Sequence, residues 1–562
     1  MTGRRISRHS FLAKSALAAA SAAAAPSLLE MGLSPAEAAA PAARSGPNAL
    51  LTNYEYATLL RAWNEALKLA GKPDPAWRGK TLTVTVIGQG AKGGISGPLY
   101  QTAGLWEKRT GARLNVVGVP YADMHEKWLT DITTGTGRYD AMWIPGWFLG
   151  DFVVTNSIIP IDKFFNDPRF AKWDRASLTP QIAALLQWNG KWYGIHNDSD
   201  GQIFYYRKDV FADGKWRKAF RTAKGYELPD PPRTWQQVLD IAQFFNGKRW
   251  TRSGKPGFGI TLPLQVGQQV FFHYVALSAP FVVVPGNGGK PDRYHNVYWF
   301  DPTDMTPLIN TPGAVRALEM ADKLRRTGPS NMTEFPLAQG WSYFLNDKAL
   351  MVWSWGDVGA LCEEQPTFST IKGLMGASGM PGSTEWYDRQ RGRFVTSTSH
   401  PNVVSNSVGG SWFPVISRLS KHPDLAYDFA ALHASTPLNL WNVQNGWTGI
   451  NPGNKYDFFP RFGTGKLSDW TGANWNANDA RQYLRGYEEL FFLDKVGQPY
   501  LRIPGAQEYF TNLDIHLSEF FTGQTSLKQA LDRTARDWDN TTNKLGRDTQ
   551  LRYYRQSLGM SR

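Results

Sequence analysis

The chain has 562 residues, of which 42% are hydrophobic and 19% charged, with a formal net charge of +13. This length exceeds what one hydrophobic core serves, so we expect two or more lobes, and the composition excludes a disordered chain. The basic residues are scattered and form no stripe, which argues against nucleic-acid binding.

The first 39 residues have the layout of an export signal. Arg4 and Arg5 lie in a positive segment, an alanine-rich apolar run follows at 16–25, and small residues stand at 36–38. This order, with adjacent arginines, predicts a twin-arginine signal peptide over 1–39 and a periplasmic location. The alternative is an amphipathic first helix that carries two arginines by chance.

Cysteine usage bears on the same question. A bacterial lipoprotein needs a cysteine at its new N-terminus, whereas the one cysteine of the chain is Cys362. We therefore predict a protein that is not a lipoprotein and has no intramolecular disulfide. Removing 1–39 takes away four basic and two acidic residues, which leaves a net charge of +11.

The next 100 residues alternate between helical and strand patterns. An N-terminal extension at 40–79 carries an amphipathic helix at 50–70. Strands are then predicted at 81–88, 112–120 and 139–146, with helices at 99–109 and 124–133. This alternation predicts a parallel, doubly wound α/β sheet.

Later segments have clear helix signals. Thr234 with Gln237, and Ser526 with Gln529, stand at capping-box spacing, and Thr311 is a candidate N-cap before a proline. The most apolar long run, at 270–285, is too short and interrupted to span a bilayer, so we predict a buried core segment. The basic tail at 546–562 is predicted to be a surface helix.

The stretch GQGAKGG follows the first strand, and its Gly88, Gly90 and Gly93 fit the dinucleotide pattern G-x-G-x-x-G. An exported NAD(P)-dependent sugar oxidoreductase is therefore one alternative. The acidic residue expected at the end of the second strand is missing, since no carboxylate follows until Asp123. A glycine-rich loop that admits a small ligand is the favoured interpretation, and no cofactor is predicted.

Hydrolase and metal motifs are incomplete. The stretch HEKWL lacks the second histidine of a zinc peptidase, so no metal site is predicted. A secreted polysaccharide hydrolase would need two facing carboxylates. The sequence offers candidates for them without showing that any pair converges: Asp198, Asp200, Asp357, Glu363 and Glu364. The last two are expected on the solvated surface.

The chain contains 23 tryptophans, and several stand near glycines at predicted strand ends. These are Trp143 and Trp147, Trp353 and Trp355, and Trp412 beside Gly410 and Ser411. In open α/β sheets, ligands bind outside the carboxyl ends of strands. A flat indole covers the apolar face of a sugar ring, and carboxylates bind its hydroxyls. Three such loops predict a saccharide cleft.

The order of segments resembles the extracellular solute-binding proteins of bacterial ABC importers, the sugar-type group that includes maltose-binding proteins. Five blocks carry the resemblance, at 137–165, 189–211, 231–245, 344–357 and 408–435. It implies a two-lobed periplasmic-binding-protein fold (type II) in which hinge-linked lobes are crossed by the chain several times. It also implies a monomer that binds a carbohydrate or polyol, delivers it to ABC permease subunits and catalyses nothing.

The resemblance also implies lobe boundaries and ligand contacts. One lobe would hold 80–204 and 374–435, and the other 205–373 and 436–545. The ligand-binding residues implied by the matching positions and the tryptophan loops are Gln89, Trp143, Trp147, Asp200, Trp353, Trp355, Asp357, Gly410, Ser411 and Trp412.

Overall fold

The computed structural model describes residues 46–285, 292, 294–405, 411–493, 496–497 and 500–560. The predicted signal peptide at 1–39 and Gly410 lie outside the described residues. In the described part of the chain, no helix combines the length and the apolar content needed to cross a bilayer.

The bounds of the helices and strands fix the labels used below. The helices are α1 (Asn53–Leu67), α2 (Ser96–Thr110), α3 (Met124–Thr133), α4 (Leu149–Val154), α5 (Pro180–Leu185), α6 (Lys208–Ala212), α7 (Gly214–Lys224), α8 (Trp235–Phe245), α9 (Val270–Val282), α10 (Pro312–Arg325), α11 (Leu337–Leu345), α12 (Asp357–Cys362), α13 (Pro423–Ala434), α14 (Thr436–Gln444), α15 (Leu467–Thr471), α16 (Ala477–Glu488), α17 (Ala506–Phe521), α18 (Leu527–Leu545) and α19 (Arg547–Ser557). The strands are β1 (Thr81–Ile87), β2 (Arg113–Val119), β3 (Ala141–Pro145), β4 (Gln187–Trp188), β5 (Lys191–Trp192), β6 (Ile203–Arg207), β7 (Phe258–Ile260), β8 (Ala349–Ser354), β9 (Met375–Ser378), β10 (Glu385–Asp388), β11 (Arg393–Thr396), β12 (Val404–Ser405), β13 (Trp412–Ile416) and β14 (Val496–Gly497).

Two four-stranded sheets form the centres of two lobes. The first has the order β13-β3-β1-β2 and the second β7-β8-β6-β9. Helices α2 and α13 pack on the first sheet, and α8, α11 and α16 pack on the second. The mixed α/β character and the two lobes confirm the predicted fold class.

Both sheets are mixed, whereas the sequence predicted parallel strands. In the first sheet β1 pairs in parallel with β2 and β3, as expected, but β13 runs antiparallel to β3. In the second sheet β6 runs antiparallel to β8 and β9. The chain reaches β6 directly from residues 195–198, which hydrogen-bond to β13 of the first sheet, so no helical crossover within the second sheet precedes it.

The lobe boundaries differ from those implied by the resemblance. Residues 374–435 were expected in the first lobe, yet Met375–Ser378 pairs with β6 in the second sheet. The chain returns to the first sheet only at Trp412. Residues 436–545 were expected in the second lobe, yet α14 packs on α1 and α13 beside the first sheet. Backbone pairing decides the first assignment and helix packing the second, and local sequence patterns reveal neither.

Several predicted elements are confirmed closely. Helix α3 has the predicted bounds, and the capping boxes of Thr234 with Gln237 and of Ser526 with Gln529 are both formed. All residues of α9 are buried, as expected for the apolar run. Thr311 stands at the N-cap of α10, but its hydroxyl donates to the Leu308 carbonyl (2.9 Å) instead of accepting from a helix amide.

The C-terminal part of the chain joins the two lobes. Helices α17 and α18 pack on α9 and α10 of the second lobe. The segment before α17 binds the first lobe, where Arg502 donates to the carbonyls of Ala184, Leu185 and Gln187 at 3.0–3.2 Å. Gly505 N also donates to Asp151 Oδ1 (2.9 Å). This segment is therefore a contact between the lobes.

We expect a methyl group at Gly150 to disrupt that contact. An ideal Cβ there would lie 1.8 Å from the Arg502 carbonyl oxygen, and backbone cannot move aside cheaply. Gly150→Ala should lower the free energy of unfolding by about 2 kcal/mol or more, as overpacking does. Equilibrium denaturation in urea measures this.

Gly104→Ala is the matched control. Gly104 lies in α2, and a Cβ there meets nothing within 4 Å. This variant should gain about 0.5–1 kcal/mol because alanine favours a helix interior over glycine. Equal effects of the two substitutions would contradict the proposed contact between the lobes.

Candidate functional site

A cavity of about 700 Å³ lies between the two sheets. The ends of β1, β2 and β3 reach it from the first lobe, and the end of β8 reaches it from the second. Because β13 and β6 run antiparallel to their neighbours, the residues before or at their starts lie at the same edges. Cavities of this size and position are where small ligands bind in α/β folds.

Six of the residues predicted for the site line this cavity. They are Gln89, Trp147, Asp200, Trp355, Asp357 and Trp412. Ser411 lies just behind the wall, where its hydroxyl is 3.5 Å from the Asp200 carbonyl oxygen. The chain thus brings residues from five distant segments to one surface, although their role as ligand contacts stays a prediction.

Two predicted residues lie elsewhere. Trp143 is fully buried in the first lobe with its ring against Phe429 (6.0 Å between centroids). Trp353 is buried in the second lobe, packs on Trp235 (4.9 Å) and donates to the His273 carbonyl. Both belong to strands rather than to the loops after them, so their side chains point into the cores.

Aromatic side chains form much of the cavity wall. Trp355 makes an edge-to-face contact with Phe272, with 4.9 Å between the ring centroids, and donates its Nε1–H to Gln269 Oε1 (2.5 Å). Trp412 is half-buried, whereas Trp355 is 3% exposed, and both line the cavity. Trp341 also lines the cavity, and sequence reasoning missed it because it lies inside α11 rather than after a strand.

Trp147 has a second role at the lobe interface. It follows β3 of the first lobe, yet its ring packs on Phe272 (5.3 Å) and Phe510 (6.0 Å) of the second. Its Nε1–H donates to Gln507 Oε1 at 3.0 Å. This tryptophan therefore joins the cavity wall to the contact between the lobes.

The glycine-rich loop uses its amides within the protein. Gln89 N donates to Ser96 Oγ (3.2 Å), Ile95 N to Gln89 Oε1 (3.0 Å), and Gly94 N to the Trp447 carbonyl (2.8 Å). A Cβ on Gly94 would lie 2.0 Å from the Gln89 side chain, so glycine is required there. These three amides are occupied, which leaves them unable to hold a pyrophosphate in the way of a dinucleotide fold.

The N-terminal extension supports this loop from behind. Helix α1 presents Glu55, whose Oε1 accepts from Trp447 Nε1 (2.9 Å) and whose Oε2 pairs with Lys92 Nζ (2.9 Å). Lys92 belongs to the glycine-rich loop, and Gly449, two residues after Trp447, lines the cavity. The extension is thus part of the structure that positions the first-lobe wall.

Three buried carboxylates meet at the point where the chain crosses between the lobes. Asn451 N donates to Asp198 Oδ1 (2.9 Å), and Asn451 Nδ2 lies 3.5 Å from Asp200 Oδ1. Asp200 Oδ1 also accepts from Gly356 N (3.3 Å), the amide before Asp357. Asp200 and Asp357 therefore lie close together at the cavity lining.

Burial changes the acidity of this cluster. Loss of solvent raises the pKa of Asp198 and Asp200 well above the usual aspartate range, and the neighbouring Asp357 charge raises both further. Burial also raises the pKa of Asp357 to about 6, against a hydrogen bond from Asn451 that favours its charged form. Near neutral pH Asp357 is therefore mostly ionised, whereas burial disfavours the charged forms of Asp198 and Asp200.

Gln269 is a further cavity residue that the sequence did not indicate. It is the N-cap residue of α9 and has φ 86°, a left-handed backbone conformation that is uncommon for residues other than glycine. Asp514 holds the loop before it by accepting from Gly267 N (2.6 Å) and Phe271 N (3.4 Å). Strained residues of this kind cluster at binding sites.

Glu363 departs from the surface position expected for it. It is buried beside Asp479 and Cys362, and the ligand atoms of these three residues lie within 4.8 Å of one another. Glu363 Oε2 accepts from Asn476 N (2.6 Å) and pairs with Lys372 Nζ (3.3 Å). Lys372 therefore provides a positive charge next to these acidic side chains, in the place where a metal ion would otherwise provide it.

We expect Asp357→Asn to alter stability in a pH-dependent way. The folded pKa of about 6 lies above the ordinary 3.8, so native protein binds more protons than unfolded protein between these values. The Asp357 contribution is therefore present below pH 3.8 and lost as pH rises through 6. The variant should gain about 2 kcal/mol in unfolding free energy at pH 8 relative to pH 4, less than the full ~3 because the carboxylate retains cavity solvent.

Ligand-free protein in urea at the two pH values measures this difference. Asp123→Asn, at a surface ion pair with Lys127 (2.9 Å), removes one charge without touching the cavity. A pH-independent effect of Asp357→Asn, or the same effect from Asp123→Asn, would contradict the raised pKa.

Comparison with solved structures identifies similar folds. An ABC transporter solute-binding protein from Agrobacterium radiobacter K84, in complex with ribitol, is 19% identical with a TM-score of 0.61, over 84% of this chain and 100% of that one. A solute-binding protein from Agrobacterium vitis S4 with bound D-mannitol is 20% identical with a TM-score of 0.60, over 83% and 99%. A maltose-bound protein from T. maritima is 16% identical with a TM-score of 0.57, over 82% and 99%.

No curated protein matches the sequence. The chain does match the family of bacterial extracellular solute-binding proteins over residues 106–455, more than half of its length. That range includes both sheets apart from β1, and it ends just after Asn451 at the lobe junction. On this match the chain is a member of the bacterial extracellular solute-binding protein family.

Proposed function

We propose that this protein is the periplasmic substrate-binding component of an ABC importer, which captures a carbohydrate or polyol between its lobes and delivers it to a membrane permease. Export by the twin-arginine route, removal of 1–39 and action as a monomer belong to the same proposal. The observation that carries it is the cavity lined by both lobes, with indoles and short polar groups on its wall.

The chemistry of the wall suits a hydroxyl-rich molecule. Trp412, Trp355 and Trp341 offer apolar surface for C–H faces, and Gln89, Gln269 and the aspartates offer hydrogen-bond partners for hydroxyls. The similar folds include proteins with ribitol, D-mannitol and maltose bound. Binding in this site uses desolvation, stacking and hydrogen bonds, with no bond made or broken in the solute.

The enzyme alternatives have less support. For the oxidoreductase, the amides of the glycine-rich loop that donate to Ser96, Gln89 and Trp447 are not available to a pyrophosphate. For the hydrolase, the two carboxylates among the described lining residues are Asp200 and Asp357, and both belong to one buried cluster with Asp198. Release of reducing ends from a polysaccharide would favour the hydrolase over a binding protein.

A binding panel with one tryptophan variant tests the proposal. We expect ribitol, mannitol, maltose or a related neutral solute to stabilise the protein by about 2.7 kcal/mol when present at one hundred times its dissociation constant. Trp412→Ala should weaken that binding by about 1 kcal/mol or more, roughly fivefold, because a stacked aromatic is lost. Thermal shift finds the solute, and calorimetry measures the affinity.

Trp216→Ala is the control. Trp216 is likewise half-buried, but it packs on Phe245 (5.4 Å) in the second lobe, away from the cavity lining. It should lose stability without losing affinity. Unchanged affinity in folded Trp412→Ala would remove this residue from the site, and absence of binding to every sugar and polyol would contradict the proposed function.

A further inference from the structure

The cavity has an uneven charge distribution. Two aspartates, Asp200 and Asp357, line it, and Asp198 lies beside them. Among the described residues that line the cavity there is no lysine, arginine or histidine. The protein carries a net charge of +13, so this acidic wall runs against the overall balance of the chain.

One carboxylate oxygen of Asp200 accepts hydrogen bonds from the protein, and the other has no donor among the described residues. Its Oδ1 accepts from Gly201 N (3.0 Å) and Gly356 N (3.3 Å), with Asn451 Nδ2 at 3.5 Å. Within the described part of the chain, no donor reaches Oδ2, although the side chain lines the cavity and the residue is only 6% exposed. Because the Asp200 side chain lines the cavity, this oxygen is available to accept a hydrogen bond from a ligand.

Among the residues that the structure describes, no cation contacts these three carboxylates. The groups that face the three carboxylates from neighbouring elements are the phenols of Tyr205 on β6 and of Tyr483 and Tyr487 on α16. Tyr483 donates to Asn451 Oδ1 (2.8 Å) rather than to a carboxylate. A buried negative cluster without a cation gains most from a ligand that brings one.

We infer that the natural solute is a hydroxylated compound carrying a protonated amine, such as an amino sugar or amino polyol, whose ammonium group binds between Asp200 and Asp357. The inference rests on the proposed function and narrows its ligand class. Indoles cover the carbon skeleton, and the two aspartates accept from the ammonium. Carboxylated or phosphorylated counterparts are rejected because they would place like charges together in a site of low dielectric constant.

The test uses triplets of solutes that differ in one group. Sorbitol, 1-amino-1-deoxysorbitol and gluconate form one triplet, and glucose, glucosamine and glucuronate form another. Calorimetry at pH 7.5 in a chelator, which keeps divalent cations from substituting for the ammonium, gives the affinities. In at least one triplet the amine should bind ten times more tightly or better than the neutral member, and the acid at least ten times more weakly.

Two variants assign the preference to the aspartates. Asp200→Asn and Asp357→Asn should each lower the ratio of amine to neutral affinity at least fivefold, and either variant alone suffices if the other fails to fold. Asp123→Asn removes the same charge from the surface and should leave the ratio unchanged. An equal loss in Asp123→Asn would assign the preference to net charge and overturn the inference.

The outcomes separate the two proposals. Tightest binding of a neutral member, or binding of an acid as tight as its amine, would overturn the amine inference while the sugar-binding function stands. Failure of every neutral and amine member to bind folded protein would overturn the proposed function, and this inference with it.

Discussion

The crossing segment between the two sheets is the constraint on which the rest of the site depends. Residue 198 pairs with the first sheet, since its amide donates to the Trp412 carbonyl (3.1 Å). Two residues later, Asp200 bonds to the Gly356 amide at the end of β8 in the second sheet. Asn451 links both aspartates. A Cβ on Gly356 would lie 2.1 Å from Asn451 Oδ1, so a glycine is needed for this approach.

This junction explains why the cavity lies where it does. Burying three carboxylates is unfavourable unless hydrogen bonds compensate, and backbone amides from both lobes provide that compensation only when the two sheet edges meet. The same geometry leaves Asp200 Oδ2 and the Asp357 side chain toward the cavity. The same hydrogen bonds between the sheet edges therefore hold the two lobes together and place polar groups where a solute can bind them.

Other contacts limit how the lobes can move. Trp147 bonds to Gln507, and Gly505 bonds to Asp151, both across the lobe interface. Any opening that separates the sheets has to break these bonds or pivot about them. The segment before α17 therefore limits the proposed hinge motion of the two lobes. Separately, Glu55 of α1 holds the first-lobe wall of the cavity through its bonds to Trp447 and Lys92.

The sequence predicted correctly those elements whose formation depends on interactions between residues close together in the chain. Helix α3, the two capping boxes and strand β1 follow from periodicity and short-range hydrogen bonds, and the family resemblance led to six residues of the cavity wall. Long-range pairing decided the rest. The return of the chain to the first sheet at Trp412 rather than at 374, and the position of α14, depend on partners far away in the sequence.

Tryptophan positions show the same division. Trp143 and Trp353 lie within strands, where their side chains enter the cores, whereas Trp147 and Trp355 follow the ends of the same strands and reach the cavity. A shift of two to four residues along the chain therefore separates core from wall. Trp341 and Gln269 were missed because neither follows a strand. Asn451 had no local signal, since its importance comes from three partners between 198 and 483.

Hydrogen–deuterium exchange with and without a saturating solute distinguishes a ligand held between two lobes from a ligand bound on one lobe. We expect the amides of 88–96 and 146–149 in the first lobe and of 355–361 in the second to exchange more slowly together, at one solute per protein. We also expect the solute to be recovered unaltered. Slowing confined to one lobe, or recovery of a chemically changed solute, would contradict a cavity that holds its ligand between two lobes.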